Sequence, residues 1–248
     1  MQEIKLCVVI PIYRHETTVK AVAQRISEKG FPVFLVDDGN TPEAKRVLEA
    51  VSKEIPSTTL VSYEQNMGKG YAVTKGLKAA YEAGFTHALQ VDADGQHDLN
   101  AIDFFVKAAR KHSENLISAF PLYDASAPKS RTQGRKITNF WVCIETLSCA
   151  IPDSMCGFRI YPLDKVVPVL KNIGNFRMGF DIEIIVRLCW KGVKMNFYPI
   201  KVQYPEGGTS NFHVVKDNIA ISWTHTKLCL GMLVRLPILL ARKLRKNG

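Results

Sequence analysis

The chain has 248 residues, of which 46% are hydrophobic, so it is long enough for one large α/β domain and too apolar to be disordered throughout. Lys and Arg number 33 against 23 Asp and Glu, and the formal net charge of +10 favours anionic partners such as nucleotides, nucleic acid or anionic lipid. The basic residues lack interleaved aromatic side chains, which argues against nucleic acid. Six cysteines without regular spacing indicate reduced thiols rather than a zinc site or disulfides.

Strands and helices alternate over the first part of the chain. The apolar runs IKLCVVIPIY, FPVFLVDDGN and HALQVDA predict buried strands, as does the segment at residues 58–63. Helical spacing or start signals predict helices at about 16–29, 41–54 and 69–83. This alternation predicts an α/β fold with a mostly parallel sheet flanked by helices, in which ligands bind outside the carboxyl ends of the strands.

The pattern is looser after residue 98. A helix near 99–111 and a strand at 115–120 are followed by the polar segment PLYDASAPKSRTQGR, for which we expect a loop over residues 121–135. The later segments predict a helix in KITNFWVCIETLSCAI, an extended stretch in DSMCGFRIYP, helices at about 163–170 and 179–191, and a strand in KMNFYPIKVQY. No repeat or linker divides the chain.

Two carboxylates and a histidine follow a predicted strand in the motif VDADGQH at residues 91–97. Asp92 and Asp94 alternate with small residues, and Gln96 and His97 stand beside them. Mg²⁺ and Mn²⁺ take oxygen ligands of this kind, through one or two carboxylates plus substrate phosphates. An Asp-Gly turn with a purely structural role uses the same residue types, so the motif alone leaves both interpretations open.

Two further polar motifs follow predicted strands. VDDGN at 36–40 makes a good turn, and its Asp38 is also suited to accept hydrogen bonds from a nucleobase or ribose. NMGKGYA at 66–72 places glycines around Lys69 at a helix start, where backbone N–H groups and a lysine suit a diphosphate. The sequence is not a P-loop, because GxxxxGK[ST] is absent.

The C-terminal stretch is basic and apolar. From Val214 onward seven Lys and Arg stand against one acid, Asp217. Its apolar run is broken by Arg235 and Pro237, and we expect it to fall short of the ~20 apolar residues that a membrane span needs. It therefore predicts a basic amphipathic helical appendage over 213–248, which either lies on an anionic membrane surface or packs on a domain spanning 1–212.

Six motifs occur in the order expected of family 2 glycosyltransferases: VVIPIYRHE, VDDGN, NMGKG, VDADGQHD, DSMCGFRIYP and the stretch from GFDIEI to GGTSNF. The chain resembles this family over roughly residues 4–212, and within it is most similar to the polyprenyl- or dolichyl-phosphate mannose synthase group. The resemblance implies a GT-A (Rossmann-like) fold and an inverting transfer of sugar from a UDP- or GDP-sugar. It also implies a lipid-linked or lipid-phosphate acceptor at the cytoplasmic membrane face.

The resemblance also implies roles for residues on the donor side. Asp92 and Asp94 match the family's DxD motif, which holds a divalent cation, Mg²⁺ or Mn²⁺, on the donor diphosphate. Asp94 is then the main ligand of the cation, and Asp92 holds the ribose or a second coordination site. Gln96 matches the position that joins the two aspartates in the lipid-phosphate enzymes. The nucleotide pocket is expected to include Pro11, Tyr13, Glu16, Asp38 and Lys69.

On the acceptor side, the resemblance implies that Arg131 and Arg135 bind the acceptor phosphate, together with Arg159 of the CGFR segment. Asp153 matches a segment that carries a catalytic aspartate in many family members. An alcohol acceptor needs Asp153 as general base, whereas a phosphate monoester is already ionised and leaves Asp153 to position a substrate. Of the pair Asp181 and Glu183, we expect the first to line the site and the second to support the fold.

The chain departs from the family pattern in two respects, and several alternative functions stay open. The related lipid-phosphate enzymes usually have a lysine where this chain has Asn211, in GGTSN, and no membrane span is expected after the catalytic domain. The N-terminus does not resemble a signal peptide, which favours a cytoplasmic protein, peripheral at the membrane. The alternatives are transfer to a non-lipid glycan or small hydroxyl acceptor, a nucleotidyltransferase, and a degenerate nucleotide-sugar binder.

Overall fold

The computed structural model describes residues 3–123, 129–202 and 213–247; the side chains of 129–131 and 245–247 lie outside the described part. Seven strands are present in it: β1 (Leu6–Ile12), β2 (Val33–Asp38), β3 (Thr58–Tyr63), β4 (His87–Gln90), β5 (Leu116–Tyr123), β6 (Arg159–Pro162) and β7 (Met195–Val202). They form one sheet in the order β3-β2-β1-β4-β6-β5-β7. β6 pairs antiparallel with both neighbours, and the other pairs are parallel, so the predicted mostly parallel sheet is confirmed.

Helices cover both faces of this sheet. They are α1 (Glu16–Glu28), α2 (Pro42–Glu54), α3 (Lys69–Glu82), α4 (Ile102–Lys111, preceded by a 3₁₀ turn at Leu99–Ala101), α5 (Lys129–Thr146), α6 (Leu163–Leu170), α7 (Phe180–Lys191) and α8 (Val214–Asn247). The helix start predicted at Thr41-Pro42 is confirmed: the Thr41 side chain accepts a hydrogen bond from the Ala44 N–H, and Pro42 begins α2.

The core has two layers because side chains alternate along the central strands. Val8 and Ile10 of β1 point into one hydrophobic cluster, whereas Cys7 and Val9 point into the other. Helix α3 lies very close to the second face: a Cβ on Gly76 would stand 2.3 Å from Cγ1 of Val9. This close packing fixes the start of α3 relative to the strand ends.

The loop predicted over 121–135 is wrong at both ends. Strand β5 continues to Tyr123, because Pro121, Leu122 and Tyr123 pair in register with β7. Helix α5 already begins at Lys129 and ends at Thr146, before the end of the predicted helical segment. The pairing with β7 joins segments more than seventy residues apart, so local composition does not reveal it.

Helix α8 continues through Arg235 and Pro237 and packs on the domain. Its inner face buries Leu228 and Met232 against α5 and α7. Contrary to the sequence expectation, Val214–Leu244 is long and apolar enough to cross a membrane, by length and composition alone. The most apolar stretch of this segment has a mean hydropathy of 1.3, and 28% of it is buried. The division between domains at 212 and 213 stays a prediction.

Candidate active site at the carboxyl edge of the sheet

The candidate site lies where β1, β2 and β4 end. Because these strands are parallel, the residues that follow them meet at one edge of the sheet. Strand β6 runs the opposite way, and its first residue, Arg159, pairs with Gln90 at the end of β4. The segment before β6 therefore enters the sheet at the same edge. The fold in this way brings the predicted donor and acceptor segments together.

A partly buried lysine joins two carboxylates at the centre of this edge. Nζ of Lys69, at the start of α3, lies 2.9 Å from Oδ1 of Asp92 and 3.1 Å from Oδ2 of Asp181, in the first turn of α7. Burial by itself lowers the pKa of Lys69, but the two carboxylates outweigh burial and raise it. Burial raises the pKa of Asp92, but Lys69 and His97 outweigh it and lower it. Lys69 and Asp92 therefore hold each other in the charged form.

Gly157, in the segment that precedes β6, packs against this cluster. A Cβ at this position would stand 2.8 Å from Nε2 of Gln90 and 2.9 Å from both Oδ2 of Asp92 and Nζ of Lys69. Because three polar atoms of the cluster occupy that space, a glycine is needed for the chain to pass. Gly157 is not among the predicted site residues, because no local sequence pattern in CGFR marks this glycine.

A layer of buried polar side chains supports the cluster from below. Tyr161 donates to Oε1 of Gln90 at 2.9 Å, and Nε2 of Gln90 donates to Oδ1 of Asp181 at 3.3 Å. Arg159 is fully buried, and its guanidinium donates to the carbonyl oxygens of Ser154 and Asp181 at 2.7 Å each. The geometry of Arg159 favours the positioning of Asp181 over contact with an acceptor, and its predicted acceptor role stays a prediction. Gln90 and Tyr161 are not among the site residues predicted from the sequence, although each is a polar residue in an apolar strand.

Asp38 organises the glycine-containing loop that precedes α3. Its carboxylate accepts hydrogen bonds from the Tyr63 hydroxyl at 2.8 Å, the Asn66 side chain at 2.9 Å and the backbone N–H groups of Met67 and Gly68 at 2.8 and 3.0 Å. Burial raises the pKa of Asp38, and these donors oppose the rise. Asp38 therefore holds the NMGKG loop, and with it Lys69, at the end of β2.

The first strand-to-helix loop forms the outer wall beside this loop. Pro11 is buried in β1, whereas Tyr13 and Glu16 are partly exposed. The Arg14 guanidinium lies 5.0 Å from the centre of the Tyr13 ring, and the Arg14 N–H donates to Asn40 at 2.8 Å. Oε2 of Glu16 is buried without a hydrogen-bond partner among the described residues. The nucleotide contacts predicted for these residues stay predictions.

Asp94 differs from Asp92 in its surroundings. One of its oxygens accepts the Gln96 N–H at 3.0 Å, and within the described residues Asp94 forms no ion pair. His97 is largely buried, with Nε2 3.9 Å from Sγ of Cys156, and burial lowers its pKa. No group of three or more His, Cys, Asp and Glu in the described part forms a metal cage. Two carboxylates nevertheless fit a cation that takes its remaining ligands from substrate phosphates and water.

The predicted base and a predicted acceptor residue lie together on the other side of the edge. Nη1 of Arg135, on α5, is 2.6 Å from Oδ2 of Asp153. Oδ1 of Asp153 accepts the N–H groups of Met155 and Cys156 at 2.9 and 2.6 Å. Asp153 is thus engaged at both oxygens. The side chain of Arg131 and the residue Asn211 lie outside the described part of the chain.

Comparison with known proteins decides the family. The model of glycosyl transferase family 2 matches residues 7–166, well over half of the chain. The chain belongs to glycosyl transferase family 2. Among curated proteins, this glycosyltransferase is 24% identical to the dolichyl-phosphate β-glucosyltransferase of Dictyostelium discoideum, over 91% of its own length and 76% of the relative's. It is also 24% identical to the UDP-N-acetylglucosamine–dolichyl-phosphate N-acetylglucosaminyltransferase of Methanococcus voltae, over 80% and 85% of the two chains.

Solved structures confirm the fold of this glycosyltransferase. Glucosyl-3-phosphoglycerate synthase from Mycobacterium tuberculosis, in complex with Mn²⁺, UDP-glucose and phosphoglyceric acid, matches it with a TM-score of 0.64 and 14% identity, covering 92% of this chain and 79% of that one. Mannosyl-3-phosphoglycerate synthase from Rubrobacter xylanophilus matches with a TM-score of 0.57 and 14% identity, covering 99% and 75%. The predicted GT-A architecture is thereby confirmed.

Proposed function

We propose that this glycosyltransferase moves a sugar from a nucleoside-diphosphate sugar to a lipid phosphate of the polyprenyl type, with inversion, at the cytoplasmic face of a membrane. The observation that carries the proposal is that a charged group stands at each end of the segment from Asp153 to Gly157. Lys69 with Asp92 and Asp181 stands on the donor side, and Arg135 with Asp153 on the acceptor side. Curated relatives named as dolichyl-phosphate glycosyltransferases support the acceptor class.

The donor side supplies charge for a leaving diphosphate. Attack on the anomeric carbon forms a new C–O bond and breaks the bond to the donor diphosphate, which leaves with both electrons. A divalent cation, Mg²⁺ or Mn²⁺, held by Asp94 and Asp92 would neutralise the developing charge. Lys69 adds a positive charge of its own, since its carboxylate neighbours keep it protonated. A Mn²⁺-containing neighbour of the same fold supports this cofactor class.

The acceptor side favours a phosphate over an alcohol. A phosphate monoester is already ionised at neutral pH and attacks without a general base, whereas an alcohol needs one. Asp153 is engaged by two backbone N–H groups and by Arg135, so it is better placed to hold the arginine than to take a proton. Arg135 in turn offers a fork of donors that fits a phosphate. Transfer to a sugar or small hydroxyl acceptor is the second candidate, and it requires Asp153 as the base.

The test is the release of nucleoside diphosphate from UDP- and GDP-sugars with Mg²⁺ or Mn²⁺, with a short-chain polyprenyl phosphate or the matching polyprenol as acceptor. We expect turnover with the phosphate only, and a loss of about 100-fold or more on Asp94→Asn. Asp103→Asn, at an exposed position of α4, is the matched control and should be unchanged. Full metal-dependent turnover of Asp94→Asn would contradict the cation site, and Asp153-dependent transfer to the alcohol would favour the second candidate.

A further inference from the structure

Helix α8 has an apolar stripe on the face that points away from the domain. Its large side chains are between 46% and 74% exposed: Ile219, Trp223, Leu230, Leu233, Leu240 and Leu244. With Thr226 and Pro237 between them, these positions alternate in steps of four and three residues, so they line one side of the helix over its whole length. The stripe therefore carries no charged residue from Ile219 to Leu244.

Other large apolar side chains of α8 and of its neighbour α5 are exposed as well. Val234, next to the stripe on α8, is 80% exposed. On the neighbouring helix α5, Ile137, Phe140 and Trp141 are also exposed, and the Trp141 ring lies 6.5 Å from the His225 ring on α8. Soluble monomers rarely leave so many large apolar side chains exposed along one helix, and such patches mark interaction sites.

The charges beside the stripe select among possible partners. The described side chains of α8 include five cations: Lys216, Lys227, Arg235, Arg242 and Lys243. Arg235 and Arg242 contact Trp190 of the domain, whereas Lys216 and Lys243 are exposed to solvent. The one acid, Asp217, is buried and accepts the His213 N–H at 2.7 Å. A surface of this kind complements anionic lipid headgroups. A second copy of the chain packed on the stripe would bring like charges together, which argues against a dimer through α8.

The inner face of α8 decides how the helix lies. His225 contacts Glu145 of α5 at 2.6 Å, Thr224 accepts from Asn175 at 2.8 Å, and Arg242 donates to the Trp190 carbonyl at 2.6 Å. These contacts hold the helix against the domain from its first turns to its last. To cross a bilayer α8 would have to leave the domain, and Glu145, which is fully buried, would lose its partner.

We propose that the outer stripe of α8, with Val234 and the exposed side chains of α5, is an in-plane docking surface for an anionic lipid bilayer. The helix lies parallel to the membrane with its apolar stripe in the headgroup boundary, and the exposed cations Lys216 and Lys243 reach the lipid phosphates. The inference rests on the proposed function and deepens it, because it names the surface through which the enzyme reaches a membrane-embedded acceptor.

The test is co-sedimentation of the full chain with vesicles of phosphatidylcholine alone or mixed with phosphatidylglycerol, without donor or acceptor. We expect binding to the anionic vesicles that weakens as salt rises. Val234→Asp should reduce the partition coefficient by about tenfold or more, since it removes an apolar side chain that the bilayer would bury and adds a charge that anionic lipid repels. Val47→Asp, the same change at an exposed position of α2, is the matched control and should bind as the wild type. Leu230→Asp repeats the test at a second position, and circular dichroism checks that each variant is folded.

Four results would contradict the proposed docking surface. Folded Val234→Asp and Leu230→Asp proteins that bind like the wild type would remove the stripe as the contact. Bound protein that does not transfer to an excess of empty vesicles would indicate a spanning helix. A wild-type dimer that becomes monomeric on Val234→Asp would show that a second copy covers the face. Transfer to a short-chain acceptor in detergent is measured in parallel for the wild type. A wild type that transfers the sugar but binds no anionic vesicles refutes the surface and leaves the proposed function standing.

Discussion

At the scale of single residues, Gly157 is the position where the smallest change should have the largest effect. In Gly157→Ala the new methyl group would stand within 2.9 Å of Gln90, Asp92 and Lys69 atoms, so the cluster has to move. We expect turnover to fall by about tenfold or more, and the free energy of unfolding to fall by about 1–3 kcal/mol. Steady-state release of nucleoside diphosphate and urea unfolding measure the two effects.

The matched control is Gly134→Ala in α5, where a Cβ meets no atom within 4 Å. Its turnover should be unchanged, and its stability equal or higher by up to about 1 kcal/mol, because alanine favours a helix. Equal turnover of the two variants would show that the contact at Gly157 does not hold the cluster.

His87 makes stability depend on pH. Its ring nitrogens lie 2.9 Å from the Thr86 hydroxyl and 2.8 Å from the Ser113 carbonyl, and burial lowers its pKa below 6.5, although the carbonyl opposes the shift. The unfolded chain therefore binds more protons in the window just below pH 6.5. The contribution of His87 is present above that pH and is lost as the pH falls towards the lower folded pKa.

We therefore expect the free energy of unfolding to decrease from about pH 7 to about pH 5, with a shallower slope in His87→Gln. Urea titrations across this range measure both slopes. An identical slope in the variant would assign the pH dependence to other groups.

The sequence places some site residues well and others not at all. Asp38, Asp92 and Lys69 follow or precede recognisable apolar runs, so the position of each at the sheet edge is predictable. Lys69 also contacts Asp181, which lies more than a hundred residues after it in the chain. This contact depends on the packing of α7 against α3. The support of this cluster by Gln90 and Tyr161 depends on the insertion of β6 beside β4, for which the sequence carries no local sign.

At the scale of elements, one buried polar pair joins α8 to α5 within their apolar contact. Nδ1 of His225 lies 2.6 Å from Oε1 of Glu145, and burial raises the pKa of this carboxyl while the histidine opposes the rise. We expect His225→Ala to lower the free energy of unfolding by about 3–5 kcal/mol, because a buried carboxylate loses its partner. Hydrogen exchange should increase in α8 before it does in the strands.

Ser222→Ala, at an exposed position of the same helix, should change stability by no more than about 0.5 kcal/mol. The double variant Glu145→Gln/His225→Ala should recover part of the loss, since the amide needs no counter-charge. If His225→Ala and Ser222→Ala lower the free energy of unfolding by the same amount, the pair of His225 and Glu145 does not anchor the helix. The sequence predicted helix α8 itself but not its inner and outer faces, which depend on where α5 and α7 lie.

At the scale of the whole molecule, donor binding should be visible as a gain in stability that depends on a divalent cation. UDP or GDP with Mn²⁺, at about one hundred times its Kd, should raise the free energy of unfolding by about 2.7 kcal/mol. Asp94→Asn should lose the part of the gain that requires the cation. Thermal unfolding with and without a chelator measures that part, and an equal gain in both conditions would remove the cation from the nucleotide site.

The antiparallel strand β6 has a consequence for how the enzyme is made. Strands β1 to β4 are synthesised first and can pair before β6 exists, because domains begin to fold from the N-terminus. Until Arg159–Pro162 arrives, β4 presents an unpaired edge, which is a template for association with other chains. The same insertion brings Gly157 against Lys69 and Asp92. The nascent protein therefore loses this aggregation-prone edge in the same step that brings the segment before β6 to the site.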